Sequence, residues 1–285
     1  MNIERNKVIE RTGLKPIVYD TYHLKNSQQK PVVVFCHGYK GFKDWGAWHL
    51  VAKAFANAGF FFLKFNFSHN GGTVEDPIDF PDLDAFAENN YSKELEDLDT
   101  VLETVVNTSF FSSEVDSDNI SLLGHSRGGG IVLIKAEEDP RVKNVITWAG
   151  VCDFKVRFFE GSEAFEKWSV DGVTYVENGR TRQQMPHHWQ FYEDFLANEE
   201  RLTIKRAVKG LEIPQLIVHG DADPTVTIKE AQALHSWNPK SKLMVFPNAD
   251  HVFGAQHPWH DDRLPNDLDQ IVRQSIAFLE DPKKV

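Results

Sequence analysis

Short runs of nearly uninterrupted apolar residues alternate along this chain with segments whose apolar positions recur every three or four residues. A strand buried on both faces has no polar side to show, so its sequence reads as one apolar run. Pro31–Cys36, Phe60–Phe65, Ile120–Gly124, Val142–Trp148, Gln215–His219 and Lys242–Phe246 fit that description, and Ile17–Tyr22 reads as an earlier strand. Between them lie helical faces. Trp48, Val51, Ala52 and Phe55 form one, with Asp44 as its expected cap and Gly59 at its end. Tyr91, Leu95, Leu98, Leu102 and Val105 form a second. A third helix is expected over 128–137, a fourth near 229–234, and a last one carries Leu268, Ile271, Val272, Ser275 and Leu279. Gly71–Asn90, rich in Gly, Pro and Asp, reads as a loop. Strands alternating with helices predict an α/β domain with a mostly parallel sheet covered on both faces.

The alternation stops over residues 153–210. That stretch holds ten aromatic residues, a density above that of the rest of the chain, and an Asn178-Gly179 pair that predicts a two-residue hairpin turn within 173–180. It reads as an insertion lying over the sheet, so 1–152 and 211–285 are expected to form the core and 153–210 a cap.

Charge narrows the partners. With 31 Lys and Arg against 42 Asp and Glu, the net charge of −11 disfavours nucleic acid and anionic membrane, both of which require cations against phosphate. The same field gives no long-range help in capturing an anionic substrate, which would need a local basic patch. No apolar run is long enough for a membrane span, and the first residues lack the apolar core of a secretion signal. A cytoplasmic location is therefore expected, with Cys36 and Cys152 as reduced thiols. Nothing in the pattern specifies an oligomeric state.

The chemistry centres on Gly124-His125-Ser126-Arg127-Gly128, a Gly-x-Ser-x-Gly motif between an apolar strand and an apolar helix. In that setting the motif is a nucleophile elbow, a tight turn that holds the serine hydroxyl clear of the backbone. A serine hydroxyl needs a base at neutral pH, and the base needs an acid to fix its tautomer. Downstream, in the order Ser, acid, His, stand Asp221 and Asp223 after one strand, then His251 after the last.

Here the chain resembles a known group. His219-Gly-Asp-Ala-Asp223-Pro-Thr-Val226 is similar to the His-Gly-x-x-Asp-x-x-Val signature of α/β-hydrolases of the dienelactone-hydrolase, feruloyl-esterase and prolyl-oligopeptidase-like groups. The resemblance covers roughly residues 30–280. It implies the α/β-hydrolase fold, Asp223 rather than Asp221 as the acid, and His251 as the base. His37-Gly38-Tyr39-Lys40-Gly41 resembles the loop that supplies one oxyanion-hole N–H, which falls on Tyr39; the other N–H belongs to Arg127, directly after the nucleophile.

The expected function is hydrolysis of a small-molecule carboxylic ester through an acyl-enzyme, without a cofactor or catalytic metal. His187-His188 and the 257–262 stretch lack the ligand spacing of a helical zinc site. Phe158, Phe159, Trp168 and Trp189 are candidate substrate contacts; most aromatics of the segment are expected to form its own small core. Three other readings use the same residues: a prolyl-oligopeptidase-like peptidase, an acyltransferase, and a hydrolase-like binding protein that has lost turnover. An aminopeptidase would further need carboxylates to hold the substrate amine.

Overall fold

The computed structural model describes residues 1–26, 28–107, 111 and 114–281. In chain order the strands are β1 (Asn2–Ile9), β2 (Ile17–His23), β3 (Lys30–Cys36), β4 (Phe61–Phe65), β5 (Val115–His125), β6 (Val142–Trp148), β7 (Val173–Glu177), β8 (Gln184–His188), β9 (Gln215–Gly220) and β10 (Lys242–Phe246). Eight form one sheet in the order β1-β2-β4-β3-β5-β6-β9-β10. From β4 to β10 neighbouring strands run parallel, while β1 and β2 are antiparallel. This is the α/β-hydrolase fold.

Two apolar layers cover the sheet. One face packs on the helices Tyr91–Val106, Arg127–Glu138, Ile204–Gly210 and Ile228–Trp237, the other on Trp48–Asn57 and Asn266–Glu280. Tyr91, Leu95, Leu98, Val101, Leu102 and Val105 are all buried on one side of their helix, and each such side chain contributes about 1.5–3 kcal/mol. The Asn90 side chain accepts the Lys93 N–H at the start of this helix, a cap that contributes about 1 kcal/mol. No helix among the described residues is long and apolar enough to cross a membrane. Cys36 and Cys152 are free thiols.

Several local expectations need correction. The helix Trp48–Asn57 has Ala47 at its cap and receives no side-chain hydrogen bond there. Asp44 instead joins Lys43 and Lys64 in a buried ion network. A five-residue helix, Leu83–Ala87, interrupts the predicted 71–90 loop and is capped by Asp82. In the last helix Phe278 is buried, whereas Leu279 is only partly so.

Segment 153–210 contains a short 3₁₀ turn (Lys155–Phe158), the helices Glu163–Asp171 and Gln190–Ala197, and the antiparallel β7–β8 pair. The hairpin forms, but its connection is longer than two residues. Glu177 pairs with Gln184, and the Asn178 side chain accepts the N–H groups of Arg180 and Thr181 across the loop. The helix Ile204–Gly210 packs with the core helices, and Ile204 reaches Gly130 of Arg127–Glu138. By packing, then, the end of the segment joins the core layer.

Candidate active site

β5 is a central strand, and the turn at its C-terminal end lifts Ser126 out of the sheet. Ser126 has φ 56° and ψ −119°, a conformation that costs on the order of 1–3 kcal/mol and persists only where neighbours impose it. Backbone hydrogen bonds do so: Ser126 N–H donates to Trp148, while its carbonyl accepts from Gly129 and Val151. Close approach fixes the glycines. A Cβ on Gly124 would lie 2.3 Å from the Gly128 carbonyl oxygen, and one on Gly128 would lie 2.5 Å from those of Cys36 and His37.

His251 and Asp223 come from the loops after β10 and β9. Nδ1 of His251 donates to Oδ2 of Asp223 at 2.7 Å, and Nε2 lies 3.1 Å from Oγ of Ser126. Because a carboxylate only accepts, Nδ1 carries the proton and Nε2 is left to take one from Ser126. Oδ1 of Asp223 accepts the N–H groups of Thr225 and Val226. Burial opposes charge on Asp223, but hydrogen bonds from His219, His251 and Val226 hold its carboxyl well below the usual range. Asp221 is engaged elsewhere, its Oδ1 accepting the Asn248 N–H. His125 donates Nε2–H to the His251 carbonyl at 2.9 Å and so braces that loop; burial, with the His251 charge, lowers its pKa to about 3, keeping it neutral.

The loop after β3 passes directly over Ser126, since a Cβ on Gly38 would sit 2.9 Å from the Ser126 Cβ. His37 pins this loop: Nδ1 bonds the Gly38 carbonyl and Nε2 accepts the Phe67 N–H. Tyr39 follows. On the other side Arg127 opens a helix, where the first N–H groups have no partner within the helix.

A cavity of about 510 Å³ opens beside Ser126 and is walled mainly by aromatic side chains. Phe158, Phe159 and Trp168 line it, as do the Tyr39 and Arg127 side chains. Trp189 does not; its ring is held against Phe165, Trp168 and Tyr192 in the segment's own aromatic cluster. Sequence reasoning missed Tyr91, Arg157 and His187, which also line the cavity. Arg157 had a legible signal, as a cation inside the aromatic segment of an acidic chain. So did Glu94, a charge on the buried face of the 91–106 helix. A separate cleft of about 320 Å³, near Ser68 and Thr73, touches none of Ser126, Asp223 and His251. No group of three or more possible metal ligands occurs among the described residues.

Residues 49–264 match the profile of the prolyl oligopeptidase family, more than half of the chain. The chain belongs to the prolyl oligopeptidase family. It is a hydrolase of the α/β-hydrolase superfamily, and solved structures share its fold at low identity. Est1E from Butyrivibrio proteoclasticus is 17% identical with a TM-score of 0.71, covering 96% of this chain and 98% of that one. The esterase domain of a Rhodothermus marinus protein is 20% identical with a TM-score of 0.65, covering 98% of each. A puromycin-hydrolyzing peptidase from Mycobacterium tuberculosis is 18% identical with a TM-score of 0.65, and the match covers 98% of this chain but 38% of that one. No curated protein matches the sequence. Proteins with esterase and peptidase names thus share one frame, and the frame by itself does not choose between ester and amide.

Proposed function

We propose that this protein hydrolyses carboxylic esters by acyl transfer through Ser126, His251 and Asp223. The observation that carries the reading is the unbroken hydrogen-bonded line from Asp223 through His251 to Ser126, at 2.7 and 3.1 Å. His251 Nε2 takes the Ser126 proton as Oγ attacks the substrate carbonyl. Asp223 stabilises the imidazolium so formed. The N–H groups of Tyr39 and Arg127 hold the tetrahedral oxyanion, often the largest catalytic term. His251 then protonates the leaving alcohol, and a water activated by the same ring releases the acid. Residues 154–191 serve as the cap, closing the aromatic cavity over the acyl-enzyme.

Ester is favoured over an N-terminal peptide because no Asp or Glu is among the residues lining the cavity, so nothing there matches a free amine. An aromatic wall suits an aromatic or apolar acid, in keeping with the Est1E structure that holds ferulic acid. The test is turnover of p-nitrophenyl esters from acetate to long acyl chains, plus a cinnamoyl-type ester. Wild type should hydrolyse them, and Ser126→Ala should lose roughly a thousandfold or more while keeping its melting temperature. Full activity in Ser126→Ala would sink the assignment; turnover of aminoacyl amides in preference to every ester would revive the peptidase reading.

A further inference from the structure

The cavity beside Ser126 is aromatic, yet two guanidinium groups enter its wall, Arg127 from the elbow and Arg157 from the 3₁₀ turn after β6. Each already has a carboxylate behind it. Glu230 accepts from Nη2 of Arg157 with both oxygens, at 2.5 and 2.6 Å. Glu94 accepts from Nη1 of Arg127 at 3.3 Å. These pairs hold the guanidiniums in place without saturating them. An arginine has five N–H donors in a rigid fork. Arg157 bonds through Nη2 alone, and its Nε is buried without a hydrogen-bond partner. Arg127 bonds through Nη1 alone, with its guanidinium carbon 4.3 Å from the Tyr39 ring centroid and 5.3 Å from those of Tyr91 and Phe191. A buried donor with nothing to bond calls for a cause, and in a substrate cavity the simplest one is an acceptor that arrives with the substrate.

We propose that the cavity recognises a carboxylate on its substrate, with Arg157 as the principal contact and Arg127 beside it, while the aromatic wall takes an apolar or aromatic body. The proposal rests on reading the cavity as the substrate site of an acyl-transfer enzyme. It assigns a substrate class: esters that keep a free carboxylate in addition to the ester carbonyl. A monoanion fits better than a dianion, because Glu94 and Glu230 already offset the two cations. The planar fork of arginine also matches a carboxylate edge-on. The net charge of −11 repels such a substrate at long range, so these two side chains form the local basic site that anion capture requires.

Binding can be measured apart from turnover, with 3-phenylpropanoate and its neutral isostere 3-phenylpropanamide as probes. Both are titrated by thermal shift and as competitors of p-nitrophenyl butyrate hydrolysis, in wild type, Arg157→Gln and Arg157→Lys. The carboxylate should bind about tenfold or more tightly than the amide in wild type. Arg157→Gln should close that margin, and Arg157→Lys should keep part of it, having the charge without the fork. Equal binding of the two probes by wild type overturns the proposal, whatever the variants do. A margin that survives intact in folded Arg157→Gln overturns it as well. Preferential carboxylate binding in a wild type that hydrolyses no ester would uphold the subsite while the ester-hydrolase reading fails.

Discussion

Charge is buried in two places in this protein, and the two are built differently. Beneath the loop that follows Tyr39, Lys43, Lys64 and Asp20 are fully buried, with Asp44 partly exposed at the edge. Asp20 and Lys64 face each other across β2 and β4. Each lysine there meets both aspartates, and Lys43 also donates to Oδ1 of Asn6 at 2.7 Å. Burial works against the Asp44 charge, but Lys64 and Lys43 hold its carboxyl well below the usual range. In the cavity beside Ser126, by contrast, each arginine has one carboxylate and donors to spare. A saturated cluster holds the chain to itself. An unsaturated one, next to a strained nucleophile, is arranged for something that comes from outside.

Substitutions on the two sides should separate these roles. The largest effect is expected at the reacting groups: Asp223→Asn should lower kcat by about 10⁴-fold, because an amide no longer selects the Nδ1–H tautomer of His251, with the unfolding midpoint little changed. Loss of stability with kcat retained would move Asp223 to the structural side. In the lysine–aspartate cluster the reverse is expected. Lys64→Met strands two buried carboxylates and should cost about 3–5 kcal/mol in denaturant unfolding, while the protein that remains folded keeps its kcat.

Acid should test both regions together. Burial lowers the pKa of His37 and His69 to about 4 and of His125 and His187 to about 3, so the folded state keeps these rings neutral. Unfolded, each titrates near 6.5. Below that pH the unfolded chain binds more protons, and each ring removes up to roughly 1.4 kcal/mol of stability per pH unit until its folded pKa is reached. Asp97 works the other way, since burial raises its pKa to about 6 despite Arg11 and the folded state then takes up a proton first. Four rings outweigh one carboxyl, so the melting temperature should fall from pH 7 to pH 5; a flat or rising profile would contradict these burials. A smaller effect is expected at the seam of the two halves. Tyr39→Phe removes the 2.6 Å hydrogen bond to Nε2 of His187 and should cost about 1–3 kcal/mol. The smallest, about 1 kcal/mol or less, is expected for Arg157→Gln, whose ion pair with Glu230 is partly exposed.

What the sequence made legible follows from what it encodes locally. The parallel strands read as apolar runs because both of their faces are covered, and Val142–Trp148 and Lys242–Phe246 fall where the runs place them. β1 escapes such a reading because it is an edge strand whose middle, Glu4 to Lys7, is exposed and charged. Ser126 is readable from the elbow, since the strand, the glycines and the helix adjoin it in the chain. The resemblance, rather than spacing, chooses Asp223 over Asp221, and the hydrogen bonds give these two residues different partners. What stays hidden lies in tertiary pairing. Asp44 looks like a helix cap until Lys64, from β4, reaches it. Arg157 looks like a surface cation until Glu230, from the helix after β9, is placed behind it. Trp189 looks like any other aromatic of its segment, and only packing decides that it stays out of the cavity.

The central claim is that Ser126 is the nucleophile. The most direct measurement is to treat the intact protein with a fluorophosphonate and locate the adduct by peptide mass spectrometry. The account predicts one modification, on Ser126, absent in Ser126→Ala and much slower in His251→Ala. A folded protein that takes up no label, or carries it on another residue, would contradict it.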